Sequence, residues 1–252
     1  MKKVLFLVAG LTLALSGLWA QPKPKSQKEV DALMAIQNAT TPDTQIAAVE
    51  NLLTKFADTE FKGMALQMAV QAAQQAGDME KMTVYAERTL KEDPKNFMVM
   101  MMLSQSIAQK TREFDLDKEE RLKQAEKYAN DGLEALKTAA KPRPDLTDEQ
   151  WTGAKKDFEA QGYEALGISA MVRKKYADAA AQFKKALETQ ATPDPATKVR
   201  LATAYNGSGN FDGAVLLLDA VLADQQLHPT IRQVAGQEKL KAAQAKAAAA
   251  KK

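Results

Sequence analysis

Few stretches of this sequence set side chains at spacings that could do chemistry. The first is DLDKEE, where Asp115, Asp117 and Glu119 alternate and Glu126 stands eleven residues after Asp115. Carboxylates so spaced resemble the ligand set of a calcium loop between two helices. That loop needs a glycine at its sharp turn, and Glu120 occupies the position. RLKQAEKY, from Arg121 onward, reads as helix, so the backbone there does not wrap an ion. The stretch is read as a charged, solvated connection. The single histidine, His228, precedes Pro229. One imidazole without a nucleophile, a second base or further ligands makes neither a catalytic pair nor a metal site.

Other chemistry is excluded more simply. The chain has no cysteine, so it carries no disulfide, thiol nucleophile or thiolate metal site. It has no glycine-rich phosphate loop, no GxSxG and no HExxH, the local patterns that cradle phosphates, present a serine or hold zinc. The sequence therefore reads as non-enzymatic, with no cofactor and no metal. Asn38-Ala39-Thr40 and Asn206-Gly207-Ser208 match the glycosylation acceptor pattern, but Asn206-Gly207 suits a helix end equally well. FMVMMM, Phe97 to Met102, either fills space between helices or offers a pliable apolar surface. A helix apolar on all sides is normally buried, which favours the first use.

The elements that carry these residues read as helices throughout. Of 252 residues, 45% are apolar and 27% charged, and Ala, Lys, Gln, Glu, Leu and Met are frequent. These side chains lose little freedom in a helix. Capping signals mark the starts. Thr41-Pro42 and Asp194-Pro195 each place an oxygen acceptor before a first-turn proline. Thr147 and Gln150 have capping-box spacing. Gly77-Asp78 makes a tight turn, and Asp93-Pro94 and KPRPD make stops.

The N-terminus differs from the rest. MKKVLFLVAGLTLALSGLWA has two lysines, an apolar run and small residues ending at Ala20. That is the layout of a secretory signal peptide over residues 1–20, and the run is short for a membrane span. Export to a bacterial periplasm or beyond is expected, with no stable membrane span after cleavage. Lys plus Arg number 35 and Asp plus Glu 32, so losing Lys2 and Lys3 takes the net charge from +3 to +1. A nearly neutral chain has no global pull toward nucleic acid. Residues 21–28 read as an exposed linker. At the other end, Lys239 to Lys252 holds five lysines and no acid and reads as a solvated, fraying helix.

Between these ends one spacing is written twice. Tyr176, Ala179, Phe183 and Ala186 are followed 35 positions on by Phe211, Ala214, Leu218 and Val221. Small residues let two helices approach, and large ones fill the space to the next pair. One helix pair cannot bury such residues alone, but stacked pairs can, which is the logic of a helical solenoid.

Leu166-Gly167 with Tyr176, Ala179, Phe183 and Ala186, then Leu201-Ala202, Tyr205, Gly209, Phe211, Ala214 and Val221, resemble the tetratricopeptide repeat. Gly77, Leu90 and Pro94 fit a further unit. Ala48 and Phe56, then Leu103, Ile107, Ala125, Ala129 and Leu133, fit two looser ones. The layout is similar to periplasmic members of that family. The resemblance implies an all-α solenoid of about five helix pairs over residues 29–228, with insertions near 109–120 and 140–158, and a capping helix with tail over 229–252.

It also implies a protein or peptide partner, held where the first helix of each pair lines an inner face. Glu164, Ile168, Met171, Val199, Thr203 and Asn206 are the expected groove positions. Carboxylate-gripping members carry Lys and Asn at that face, where this chain has Glu164 and Ile168. A self-associating subunit of a cell-envelope assembly is the alternative, and the oligomeric state stays open.

Overall fold

The start signals act as the sequence predicts. The Thr41 hydroxyl accepts from the Thr44 N–H at 3.2 Å, while Thr44 Oγ1 accepts from the Thr41 N–H at 3.1 Å. Thr147 and Gln150 close the same reciprocal box at 3.1 and 3.0 Å. Each satisfies backbone donors that a helix start otherwise leaves open. Gly77 and Gly209 take φ of 71° and 84°, the left-handed turn that glycine enters without a Cβ clash.

In this computed structural model, residues 22–142 and 145–249 are described. They form eleven helices: α1 (Gln27–Gln37), α2 (Pro42–Lys55), α3 (Lys62–Ala76), α4 (Met79–Glu92), α5 (Phe97–Lys110), α6 (Lys118–Lys137), α7 (Asp148–Val172), α8 (Tyr176–Thr189), α9 (Pro195–Gly207), α10 (Phe211–Leu222) and α11 (Pro229–Ala249). There is no strand among the described residues. The leader expected over 1–20 lies outside them.

The first ten helices pair in order as five hairpins. The second helix of each hairpin meets the first helix of the next, and α5 touches α7 as α9 touches α11. α11 packs as a further first helix, with no hairpin partner among the described residues. The interior is a run of local cores. One spans α1 to α7 around Leu52, Leu66, Met82 and Leu103. The next surrounds Phe183, and the last surrounds Leu218 and Ala235. Tyr205 and Leu217 pack against both of the latter, so each hairpin is covered by its neighbour.

FMVMMM is interior: Val99 and Met101 are fully buried, and Phe97 and Met100 nearly so. From Asp148 onward the expected insertion over 140–158 is helix, as the Thr147–Gln150 box predicts. It lengthens the start of α7, where Trp151 and Phe158 pack on Phe97 at 6.2 and 5.1 Å between ring centres. The Lys/Ala stretch is helical as expected, but packed rather than solvated. α11 continues to Ala249, Ala242 is buried, and Lys239 pairs with Asp219 at 2.6 Å while Lys246 pairs with Asp212. No helix among the described residues is long and apolar enough to cross a membrane.

Candidate functional site

Three first helices end or pass on one side of the array. α7 brings Met171 and Val172, α9 brings Thr203, Asn206 and Gly207, and α11 brings Glu238 and Lys241. With the residues just after α5 and the α7–α8 turn, they enclose an open concave site of about 590 Å³. Part of its lining is a fixed polar cluster. The Asn206 amide donates to the Glu238 carbonyl and carboxylate at 3.0 and 3.1 Å, and Lys241 Nζ meets the same carboxylate at 2.6 Å.

The six expected groove residues separate by depth. Met171, Thr203 and Asn206 line the site. Ile168 is half-buried between two cores. Glu164 and Val199 are each 5% exposed and offer no side chain to a partner, which corrects the expectation for those two. The reason lies in Glu164's hydrogen bonds. Its carboxylate accepts from the Thr197 hydroxyl, from Gln190 Nε2 at 3.2 Å and from Gln105 Nε2 at 3.4 Å. Donors from α5, from the segment after α8 and from α9 therefore close over the N-terminal half of this face.

One wall was not expected. The connection between α5 and α6 is anchored at several points. Asp115 accepts from the Arg112 N–H at 2.8 Å, and its carbonyl accepts from Lys118 N at 3.1 Å. Arg173, at the end of α7, donates to Glu119 at 2.8 Å and grips both oxygens of Glu126. Lys174 pairs with Glu113 at 2.6 Å. Of the acidic residues that resemble calcium ligands, Glu119 and Glu126 are thus engaged by Arg173, and Asp115 lies 3.5 Å from Arg121. Among the described residues no group of acids and histidine is arranged to hold a metal. His228 serves locally, its Nδ1 accepting from the Thr230 N–H at 3.3 Å at the start of α11.

The pairing sets protonation as well. The hydrogen bond from Arg173 holds the Glu119 carboxyl below its ordinary range, and Glu113 holds the Lys174 ammonium above its own. A depressed carboxylate stabilises the fold above its ordinary range, and that contribution disappears as pH falls through the depressed value. Arg173→Met is therefore expected to raise amide hydrogen exchange across residues 111–120 at neutral pH. Wild type should show the same loosening only under acid. Equal exchange in both proteins at neutral pH would remove Arg173 as the anchor.

Residues 170–246 match the sequence profile of the tetratricopeptide repeat. The matched span covers α8, α9, α10 and most of α11, the helices behind the concave site. The fold is similar to the crystal structure of a thermophilic TPR protein of Thermus thermophilus, with a TM-score of 0.54 at 17% identity. That likeness covers 85% of this chain and 96% of the other. No curated protein matches the sequence. In the tetratricopeptide-like array, Lys174 stands where other hairpins have Gly77 and Gly209, and among the described residues it is the non-glycine residue at positive φ, 59°. That substitution is visible in the sequence and is the signal that could have pointed to the α7–α8 turn.

Proposed function

We propose that this chain is an exported scaffold that binds a protein or peptide segment along the concave side of its array. The observation that carries the reading is the site built by three successive first helices, α7, α9 and α11, from side chains of mixed polarity. Repeats of this kind commonly mediate protein–protein contact, and a concave surface shared by neighbouring units suits an extended or helical segment. The absence of a nucleophile–base pair in the sequence agrees with a binding role.

A photo-cross-linking residue at Thr203, in the site, is compared with one at the exposed Lys184 on α8. In cells producing the chain, adducts are expected from position 203 and not from 184. Equal labelling at the two positions would overturn the assignment of the face. For export, the N-terminal residue of the chain recovered from the envelope fraction is expected to be Gln21. Recovery from the cytosol with Met1 intact would remove export from the proposal.

A further inference from the structure

α11 is a first helix whose hairpin has no second helix among the described residues. Its register follows from what it packs on. Ala235 and Glu238 face the preceding hairpin, as Leu201 and Ala204 do 34 positions earlier on α9. In that register Gly167 of α7, Ala202 of α9 and Gly236 of α11 hold one equivalent place, where a first helix receives its own second helix. Gly167 is met by the Phe183 ring, and Ala202 is fully buried in one core with Leu218 of α10. At Gly236 a Cβ would meet no neighbouring atom within 4 Å among the described residues. The receiving face is present and uncovered.

That face is also free of charge. Gln233, Gly236, Gln237, Leu240, Ala243 and Ala247 share it at helical spacing, and all are exposed. The charged residues of α11 turn back to their own array. Arg232 donates to the carbonyls of Leu222 and Asp224, Lys239 pairs with Asp219 at 2.6 Å, Lys246 pairs with Asp212, and Lys241 pairs with Glu238. A helix that only closes an array against water normally carries charge on its outer side. Here the face carries apolar area instead. Leu240 is 59% exposed, and Leu216 of α10 is 75% exposed. Leu216 stands four residues after Asp212 and three before Asp219, the acids that hold Lys246 and Lys239, so it borders the same face of α11.

We propose that this face binds a second copy of the chain, α11 against α11 about a two-fold axis, so that each helix covers the other where a second helix would lie. The two helices of a hairpin run antiparallel, and a two-fold axis across α11 sets the two copies antiparallel as well. Leu240 lies one turn beyond Gly236. With the axis between them, Leu240 of each copy enters the notch at its partner's Gly236, as Phe183 enters the one at Gly167. An uncharged face meets itself without burying an unpaired charge. The pairing goes beyond the scaffold reading and does not depend on it.

One helix on one helix is a small interface, so the pairing is weak. Sedimentation equilibrium of the purified chain over about 5–500 µM is expected to move the mass from one copy to two. Leu240→Glu and Gly236→Glu each place a charge where the copies meet and should weaken the association at least about tenfold. Neither should lower the melting temperature of the dilute chain, since both positions are exposed and glutamate forms helix better than glycine. Phe114→Ser removes an exposed aromatic side chain far from this face in the sequence, and should leave the association unchanged. Because the chain has no cysteine, a disulfide reports the pairing directly. Gly236→Cys and Leu240→Cys chains, mixed, should cross-link to each other faster than either does to itself. A chain monomeric throughout the concentration range, a dimer that survives both glutamate variants, or equal cross-linking in mixed and unmixed samples overturns the inference.

Discussion

Replacing Phe183 with alanine is expected to lower the stability of the chain by about 3–5 kcal/mol, measured as a shift in the urea midpoint at constant slope. Phe183 is fully buried in α8, within the core that includes Leu201 and Ala204 of α9. Its ring lies against Gly167 of α7, so closely that a Cβ there would come within 2.6 Å of ring carbon Cε1. The ring thus fills the junction of three helices and joins one hairpin to the next. Alanine would leave a cavity that rigid helices close only in part. The opposite change, Gly167→Ala, crowds the same junction and should cost about 1–3 kcal/mol. Neighbours carry the interface energy in a stacked array, so hydrogen exchange should rise first in α7 to α10 and least in α1 and α2. A loss below about 1 kcal/mol for Phe183→Ala would show that this junction does not hold the repeats together.

The junction was legible because helix packing repeats. Wherever two helices must cross closely and a third must cover them, a small residue and a large one recur at fixed intervals. Tyr176, Ala179, Phe183 and Ala186 record that need directly. Caps were legible for a similar reason, because Thr41, Thr147 and Asp194 act on donors two or three residues away. The α5–α6 connection was not. Its shape depends on Arg173 reaching Glu119 and Glu126, which precede it by about fifty positions in the chain and pair with it only after stacking. The start of α7 was legible from the Thr147–Gln150 box, whereas its packing was hidden, since Trp151 and Phe158 find Phe97 only across the fold. The groove positions were half legible. Glu164, Ile168 and Met171 share one face of α7, as Val199, Thr203 and Asn206 share one face of α9. Repeat phase gives the face and says nothing of depth along it. The leading member of each trio is covered, and the last lines the site.

Glu164 shows what covering that face requires, and Glu164→Ala is expected to destabilise the chain by about 2–4 kcal/mol. A carboxylate at 5% exposure is tolerable only with its hydrogen-bonding capacity filled. Here the Thr197 hydroxyl, Gln190 and Gln105 donate to it directly, and the Arg200 guanidinium lies farther off, 3.9 Å from Oε2. Truncation strands donors on three neighbouring segments, of which the Thr197 hydroxyl is fully buried while the two glutamines are partly exposed, and a stranded buried group costs about 1–3 kcal/mol unless water reaches it. A direct test is Thr197→Val combined with Glu164→Ala. If the two groups act as a unit, the double variant should lose at least about 1 kcal/mol less than the sum of the single losses. Strict additivity would mean that the carboxylate is held by the glutamines alone. The network also ties α5, α7 and α9 to one register, and the concave site needs that register, because Met171 and Asn206 face the same space only while α7 and α9 keep their offset. Weaker cross-linking from Thr203 in a folded Glu164→Ala chain is therefore the expected functional trace of a residue that itself touches no partner.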